Sequence, residues 1–358
     1  MTLLFEPLTF TRGPAMKNRF MLAPLTNTQS HADGRLSNDE FKWLEMRATG
    51  GFGLTMTCAA HVQANGQGFP GQLGAFSDAH IEGLTRMATA IKAKNSVAVV
   101  QLHHAGNRSP VDLIGETPVC PSDGEEPKAR ALSSNEVAGL IEDFILAAKR
   151  AETAGFDGVE VHGAHGYILS QFLSPEINQR DDEYGGSLEN RSRIIFEIID
   201  GIRARCRPDF NVSIRLSPER FGLRLGEIRE VAQNLMTEGA IDFLDMSLWD
   251  VFKEPVEDDF KGRSLLSYFA DLDRGAVKLG VAGKVNSVKA ATACLDQGVD
   301  FVLLGRAAIL HHDFPLRAAK DPTFAATSLP VTADYLHGQG LSENFVTYMS
   351  NWKGFVAA

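Results

Sequence analysis

The sequence predicts an α/β fold, a (β/α)8 barrel, and three observations carry that expectation. Eight short runs rich in Val, Ile, Leu and Phe recur along the 358 residues, as parallel strands covered on both faces should. Amphipathic helical stretches lie between them. Nothing of the form Gly-x-Gly-x-x-Gly follows the first run, which counts against a doubly wound open sheet. The length is within the range of a single barrel.

Taken in order, residues 1–18 read as a short hairpin that plugs the bottom of the barrel. The strands follow as "RFMLAPLT", "GFGLTMTCA", "SVAVVQLHH", "FDGVEVHG", "NVSIRLSP", "IDFLDMSL", "KLGVAGKV" and "DFVLLGRAAI". Among the helices, residues 78–94 and 188–205 show helical patterns. Residues 137–154 show the clearest one, with Val137, Leu140, Ile141, Phe144, Ile145 and Ala148 on one stripe. That helix opens with a capping box, Ser133 and Glu136, and stops at Gly155. The stretch 107–132 is long and rich in Pro, Gly and Glu, as expected of a cap over a site. Residues 326–358 carry a helix pattern of their own in "SENFVTYMSNW". No low-complexity linker intervenes, so the expected organisation is a barrel over 1–325 and a helical tail over 326–358 packed on it.

Composition narrows the function classes. A hydrophobic fraction of 44% with 22% charged residues is globular. The net charge of −10, with both signs mixed along the chain, argues against nucleic acid or anionic lipid as the main partner. "MTLLFEPLTF" is too short for a secretory leader and meets Glu6 and Pro7, and no apolar run approaches a membrane span. Cys58, Cys120, Cys206 and Cys294 are far apart and form no Cys-x-x-Cys pair, so neither clustered metal ligation nor a disulfide framework is expected. A soluble, cytoplasmic protein is the expectation.

In such a barrel the active-site groups come from the C-terminal ends of the strands. Strands 7 and 8 end in Gly283-Lys284 and Gly305-Arg306. Paired glycines there leave backbone N–H groups open, the short helix that follows adds its positive end, and the two cations add charge, which together read as a phosphate cradle. The competing reading is that each glycine only makes a turn. Thr26, Gln101 and Arg215 offer a hydroxyl, an amide and a guanidinium, which suit a flat heterocycle with carbonyl and imide edges. A phosphate beside that platform suggests flavin mononucleotide, while Arg215 is also open to a purely structural ion pair. In "VEVHGAHGYILSQFLSP", His162 and His165 lie three apart as the chain leaves strand 4. One turn can aim both at a carbonyl, nitro or phenolate oxygen, and Tyr167 can offer a proton. Metal ligation by the histidines and simple packing by Tyr167 are the alternatives.

One stretch is specific enough to compare. "GFDGVEVHGAHGYILSQFLSPEINQRDDEYGGSLENRSR" resembles the signature of the old yellow enzyme family of FMN-dependent ene-reductases. "KNRFMLAPLT", "VVQLHHAG", "SIRLSP" and "VDFVLLGRAAI" follow the family's order, and the likeness runs over residues 3 to 325. The resemblance implies FMN as cofactor and NADH or NADPH as reductant. It implies that Ala23, Pro24, Leu25 and Thr26 line the flavin ring, with the Thr26 hydroxyl near the carbonyl beside the reactive nitrogen. Ala59 would pack near the ring, Gln101 would meet its pyrimidine edge, and Arg215 would face the opposite carbonyl and ring nitrogen. Gly283, Gly305 and Arg306 would hold the phosphate. His162 and His165 would bind the substrate oxygen and Tyr167 would donate the proton.

The implied activity is hydride transfer from NAD(P)H through flavin to an activated alkene such as an enone or nitroalkene. Two alternatives stand beside it: an FMN-dependent amine oxidative demethylase on the same fold, and a barrel that binds a phosphate ligand without redox chemistry. Rim residues such as Trp249 and Phe252 would separate the first pair. The expected partner is a small-molecule substrate, with a homodimer as the assembly to test and no nucleic acid or membrane. A bacterial subgroup of the family carries Cys at the position of Thr26 and Tyr at that of Thr28, and this chain has neither.

Overall fold

The eight apolar runs form eight strands in a computed structural model that describes residues 3–357. They are β1 (Phe20–Leu22), β2 (Leu54–His61), β3 (Val97–His103), β4 (Gly158–Gly163), β5 (Asn211–Leu216), β6 (Phe243–Ser247), β7 (Lys278–Ala282) and β8 (Phe301–Leu304). Each pairs in parallel with the next, and β8 pairs with β1, so the sheet closes into a barrel. Closure removes both sheet edges, and helices between the strands cover the outer face.

Alternation along the strands decides what the barrel holds, because successive side chains point to opposite faces. Val97, Val99, Leu54, Met56, Phe243, Phe301 and Leu303 form an inner apolar cluster, distinct from the larger core that strands and helices share. Gly280 of β7 faces this interior. A Cβ there would sit 2.4 Å from the Phe301 ring, so the missing side chain makes room for the phenyl group. Further along the same faces the period continues with polar residues: Gln101 and His103 after Val97 and Val99, and Asp245 and Ser247 after Phe243. The interior is therefore apolar at the bottom and polar at the C-terminal mouth.

The expected plug is present. Leu8 and Met16 exchange backbone hydrogen bonds of 2.9 Å in each direction as an antiparallel bridge. The turn between them carries Phe10 to 5.4 Å from the Phe243 ring and 6.4 Å, edge-on, from Phe301. Leu3–Phe5 is a short 3-10 turn; residues 1–2 of the expected hairpin lie outside the described part.

The helix at Ser134–Thr153 has the reciprocal cap read from its sequence. Ser133 Oγ accepts from the Glu136 N–H at 3.3 Å, and the Ser133 N–H donates to the Glu136 carboxylate at 2.9 Å. The helix at Leu188–Arg205 has the expected bounds, whereas the 78–94 stretch divides into a 3-10 turn, Asp78–His80, and a helix, Ile81–Lys92.

The 107–132 segment is itself folded. Val119–Cys120 pairs in parallel with Lys128–Ala131, which pairs antiparallel with Gly124–Glu125. The tail folds back towards β1: Phe345 lies 4.8 Å from Trp43, and the Ser342 N–H donates to Gln29 Oε1 at 3.1 Å. The Thr28 hydroxyl reaches the Asn344 carbonyl at 3.4 Å. No helix among the described residues is long and apolar enough to cross a membrane.

Candidate active site

Strand register places the polar inward positions side by side. Gln101 of β3 is the register partner of Glu160 of β4, and its Nε2 donates to Glu160 Oε1 at 2.8 Å. Arg215 of β5 is the partner of Asp245 of β6, with Nε 2.9 Å from Oδ2. All four side chains are buried. Two carboxyl groups thus share one guanidinium out of water, and they cannot both ionise cheaply. Burial holds Glu160 well above the usual carboxylate range; the Asp245 charge pushes further in that direction and Arg215 opposes it. Asp245 is pushed up to about 6 by burial, with Arg215 pulling it down. Direct contact with the guanidinium favours Asp245 as the ionised member and Glu160 as the neutral one. Gln101 gives its NH2 to Glu160, and its carbonyl oxygen takes no hydrogen bond among the described residues.

Beyond β4 the chain turns through two left-handed residues, His165 at φ 61° and Gly166 at φ 71°. A histidine in that region is uncommon, and the Ser217 hydroxyl accepting from the His165 N–H at 3.0 Å helps hold it there. Buried Gln171 braces the same turn against the β3 loop: its Nε2 donates to the Gly166 carbonyl and to Asn107 Oδ1, each at 2.8 Å. Spacing by three predicts two imidazoles aimed at one point. The folded turn instead links them in series. The Ala164 N–H donates to His162 Nδ1 at 3.4 Å, so the His162 proton sits on Nε2 and faces His165 Nδ1 at 3.1 Å. His165 Nε2 then donates to Ser247 Oγ at 2.7 Å, and that hydroxyl also accepts from Arg215 at 3.3 Å. Both imidazoles titrate well below the ordinary histidine range. Burial is the first cause for each, followed for His162 by His165 and Arg215, and for His165 by Arg215 and Arg108.

Tyr167 completes a cluster of four rings. Its centroid is 4.3 Å from His103, edge-on, 5.1 Å from His162 and 6.4 Å from His165. The half-buried phenol makes no hydrogen bond among the described residues. Burial raises its pKa, and Arg108 acts in the opposite direction.

The remaining predicted residues ring the mouth. Ala23 is buried, while Pro24, Leu25, Thr26 and Ala59 are half-buried, and the Thr26 hydroxyl has no partner among the described residues. Gly283 has φ 155°, and a Cβ there would stand 2.9 Å from the Asp250 nitrogen, so the β7 turn is pressed against the loop after β6. Lys284 Nζ lies 3.0 Å from Asp250, which offsets much of its charge. Gly305 adopts φ −96°, ψ −92°, and a Cβ there would make only an ordinary 3.5 Å contact, with Leu25. The helix at Arg306–Leu310 is too short to add much dipole. Arg306 is exposed, with no ion pair among the described residues. Trp249 and Phe252 stand exposed beyond β6, with the Arg220 guanidinium 4.7 Å from the Trp249 ring.

Sequence reasoning passes over Glu160, Asp245 and Ser247, and gives His103 and Arg108 no role. The first three were legible: each continues an alternating inward series, and a charged residue in a strand buried on both faces needs a partner. Arg108 carries no such signal, because it acts from a loop.

Comparison with known proteins bears on the same residues. Residues 3–323 match the sequence model of the NADH:flavin oxidoreductase / NADH oxidase family. The chain is 36% identical over 314 residues to a probable NADH-dependent flavin oxidoreductase of Bacillus subtilis (strain 168), covering 85% of this chain and 84% of that protein. It is 34% identical to the NADH:fumarate oxidoreductase of Klebsiella pneumoniae (strain 342), covering 88% of this chain but only 36% of that longer protein. The fold is similar to that of the old yellow enzyme homologue from Zymomonas mobilis, with a TM-score of 0.80 and 27% identity over 96% of this chain and 99% of the other.

Proposed function

The chain belongs to the NADH:flavin oxidoreductase / NADH oxidase family, and from that premise we propose that it reduces activated alkenes, with His162 and His165 binding the substrate oxygen and Tyr167 donating a proton. It is an NAD(P)H-dependent flavin oxidoreductase with FMN as cofactor. The residues present suit that group. The Thr26 hydroxyl and the Gln101 carbonyl, each without a hydrogen-bond partner among the described residues, and the Arg215 guanidinium would supply polar contacts to the ring. The turn at Gly305, where an added Cβ would meet only Leu25, and exposed Arg306, with Gly283 and Lys284 at the end of the neighbouring strand, would offer room and charge for a phosphate. Ala23, Pro24, Leu25 and Ala59 would contribute the apolar lining.

The chemistry supplied by bound FMN is hydride transfer, from NAD(P)H in one half-reaction and to an electron-poor carbon in the other. The protein's own residues do the rest. His162 and His165, kept neutral by burial, offer N–H groups to a carbonyl or nitro oxygen as negative charge develops there, a role worth about 10²–10³ in rate per donor. Their present partners, each other and Ser247, hold the tautomers in a single donor direction until substrate takes over one N–H. Tyr167 then protonates the carbon next to the activating group, with general-acid help worth about 10²–10⁴.

The observation that carries the proposal is the ring cluster itself: two neutral imidazoles and an unpaired phenol within 6.4 Å of one another at the barrel mouth. The name of the Klebsiella relative, a fumarate oxidoreductase, supports an electron-poor alkene as acceptor. The test is Tyr167→Phe followed by separate half-reactions. Flavin reduction by NADPH or NADH should be retained, while reoxidation by 2-cyclohexenone slows by about 10²-fold or more. Unchanged reoxidation would remove Tyr167 from the mechanism.

A further inference from the structure

Arg108 closes the loop that leaves β3, in the short turn Gly106–Arg108. Its guanidinium carbon lies 4.7 Å from the centre of the Tyr167 ring, and its NH1 donates to the backbone carbonyl of His165. No carboxylate pairs with it among the described residues. One exposed cation therefore touches two residues of the ring cluster, one through its ring face and one through its backbone. We propose that Arg108 is a positioning residue for the proton-transfer step: it caps the Tyr167 ring, pins the left-handed turn at His165, and its charge stabilises the phenolate that Tyr167 becomes. The inference rests on the proton-donor reading of Tyr167.

In the step the Tyr167 O–H bond breaks and a C–H bond forms on the substrate. The phenol oxygen keeps the electron pair, and a proton from solvent later restores the hydroxyl. A half-buried phenolate with no hydrogen-bond partner is costly unless a cation stands near it. The groups that face Tyr167 are His103 from β3, His162 and His165 from β4 and its turn, Tyr348 from the helix at Glu343–Ser350, and Arg108. The three imidazoles are held neutral by burial and Tyr348 is a second phenol. Arg108 is thus the one cation facing Tyr167 among the described residues. It also appears among the influences that keep His103, His162 and His165 unprotonated, so the same charge that favours the phenolate preserves the neutral N–H donors. Because the contact is to a ring face, a guanidinium does this better than an ammonium, whose charge is not planar.

The experiment combines Arg108→Leu and Arg108→Lys with wild type and Tyr167→Phe, all in the FMN-loaded enzyme under anaerobic conditions. Arg108→Leu should slow reoxidation by 2-cyclohexenone about tenfold, the equivalent of about one pKa unit in the phenol, while flavin reduction by NADH changes by less than about twofold. Arg108→Lys should recover part of the loss. A readout independent of turnover is the ultraviolet phenolate band assigned by difference from Tyr167→Phe, which should appear at higher pH in Arg108→Leu. In the Tyr167→Phe background Arg108→Leu should slow reoxidation much less than it does in wild type, because only its hold on the His165 turn is left to lose. Equal slowing of both half-reactions, or a phenolate band that does not move, overturns the inference. If Tyr167→Phe slows reoxidation and Arg108→Leu does not, Arg108 is dispensable and the donor reading stands. If Tyr167→Phe is itself without effect, both readings fall.

Discussion

The shared charge at the barrel mouth makes a sharp prediction for Asp245→Asn and Glu160→Gln. Asp245 is fully buried against the Arg215 guanidinium at 2.9 Å, and removing one partner of such a pair usually costs about 3–5 kcal/mol because the other charge is left unpaired. Here a second carboxyl is in reserve. Glu160 is held neutral partly by the Asp245 charge, so once that charge is gone it can release its proton and serve as the counter-ion. Asp245→Asn alone should therefore cost only about 1–2 kcal/mol. Glu160→Gln replaces a neutral acid with a neutral amide of the same shape and should cost at most about 1 kcal/mol. The double variant leaves Arg215 with no carboxylate and should lose about 3–5 kcal/mol. With an unfolding entropy of about 2.1 cal/mol/K per residue, or about 0.75 kcal/mol/K over the chain, that is a fall in Tm of about 5 °C. Urea and thermal unfolding of the four proteins at pH 7 measure the cycle. Costs that add within about 0.5 kcal/mol would show that the two carboxyl groups do not share the guanidinium's charge.

Two further outcomes follow from the same site. Ser247→Ala removes the hydroxyl that takes the His165 N–H in the free protein, so a phenol no longer competes with it. p-Hydroxybenzaldehyde should bind about fivefold tighter, the equivalent of about 1 kcal/mol for one hydrogen bond, read from its long-wavelength band with flavin; unchanged binding would mean that His165 does not leave Ser247 to meet ligand. Stability should also fall on acidification. Burial lowers His61 to about 4 and His104 to about 3, below the unfolded value of about 6.5. The unfolded chain therefore binds more protons as pH drops below 6.5, and each such group costs about 2 kcal/mol at pH 5. His103, His162, His165 and His311 are lowered as well, while the buried carboxyl groups raised by burial, Asp245 at about 6 with Glu160 and Glu40, work the other way. The lowered imidazoles outnumber these acids, so the urea midpoint should be lower at pH 5 than at pH 7, and equal midpoints would refute the account.

Much of the fold was legible because strand and helix patterns are local. Short apolar runs located all eight strands, and Ser133 with Glu136 located the start of the Ser134–Thr153 helix, since a capping box involves only neighbours in the chain. The chemistry at the strand ends was partly legible for the same reason: Gln101, His162 and Arg215 are polar where the run should stay apolar. The relation between His162 and His165 was not. A spacing of three allows both rings to converge on one point, but the left-handed backbone at His165 and the waiting hydroxyl of Ser247, 82 residues away, arrange them in series.

The amino-acid order by itself therefore determined which side chains face the barrel interior and at what height, because alternation is a property of each strand alone. Which of them become partners was decided only when the barrel closed. Gln101 meets Glu160, Arg215 meets Asp245, and Arg108 reaches Tyr167 because register and closure bring separate strands to the same level. Burial at that level then sets which carboxyl keeps its proton and keeps the imidazoles neutral, since the cost of charge depends on what surrounds a group in space and not on its neighbours in sequence.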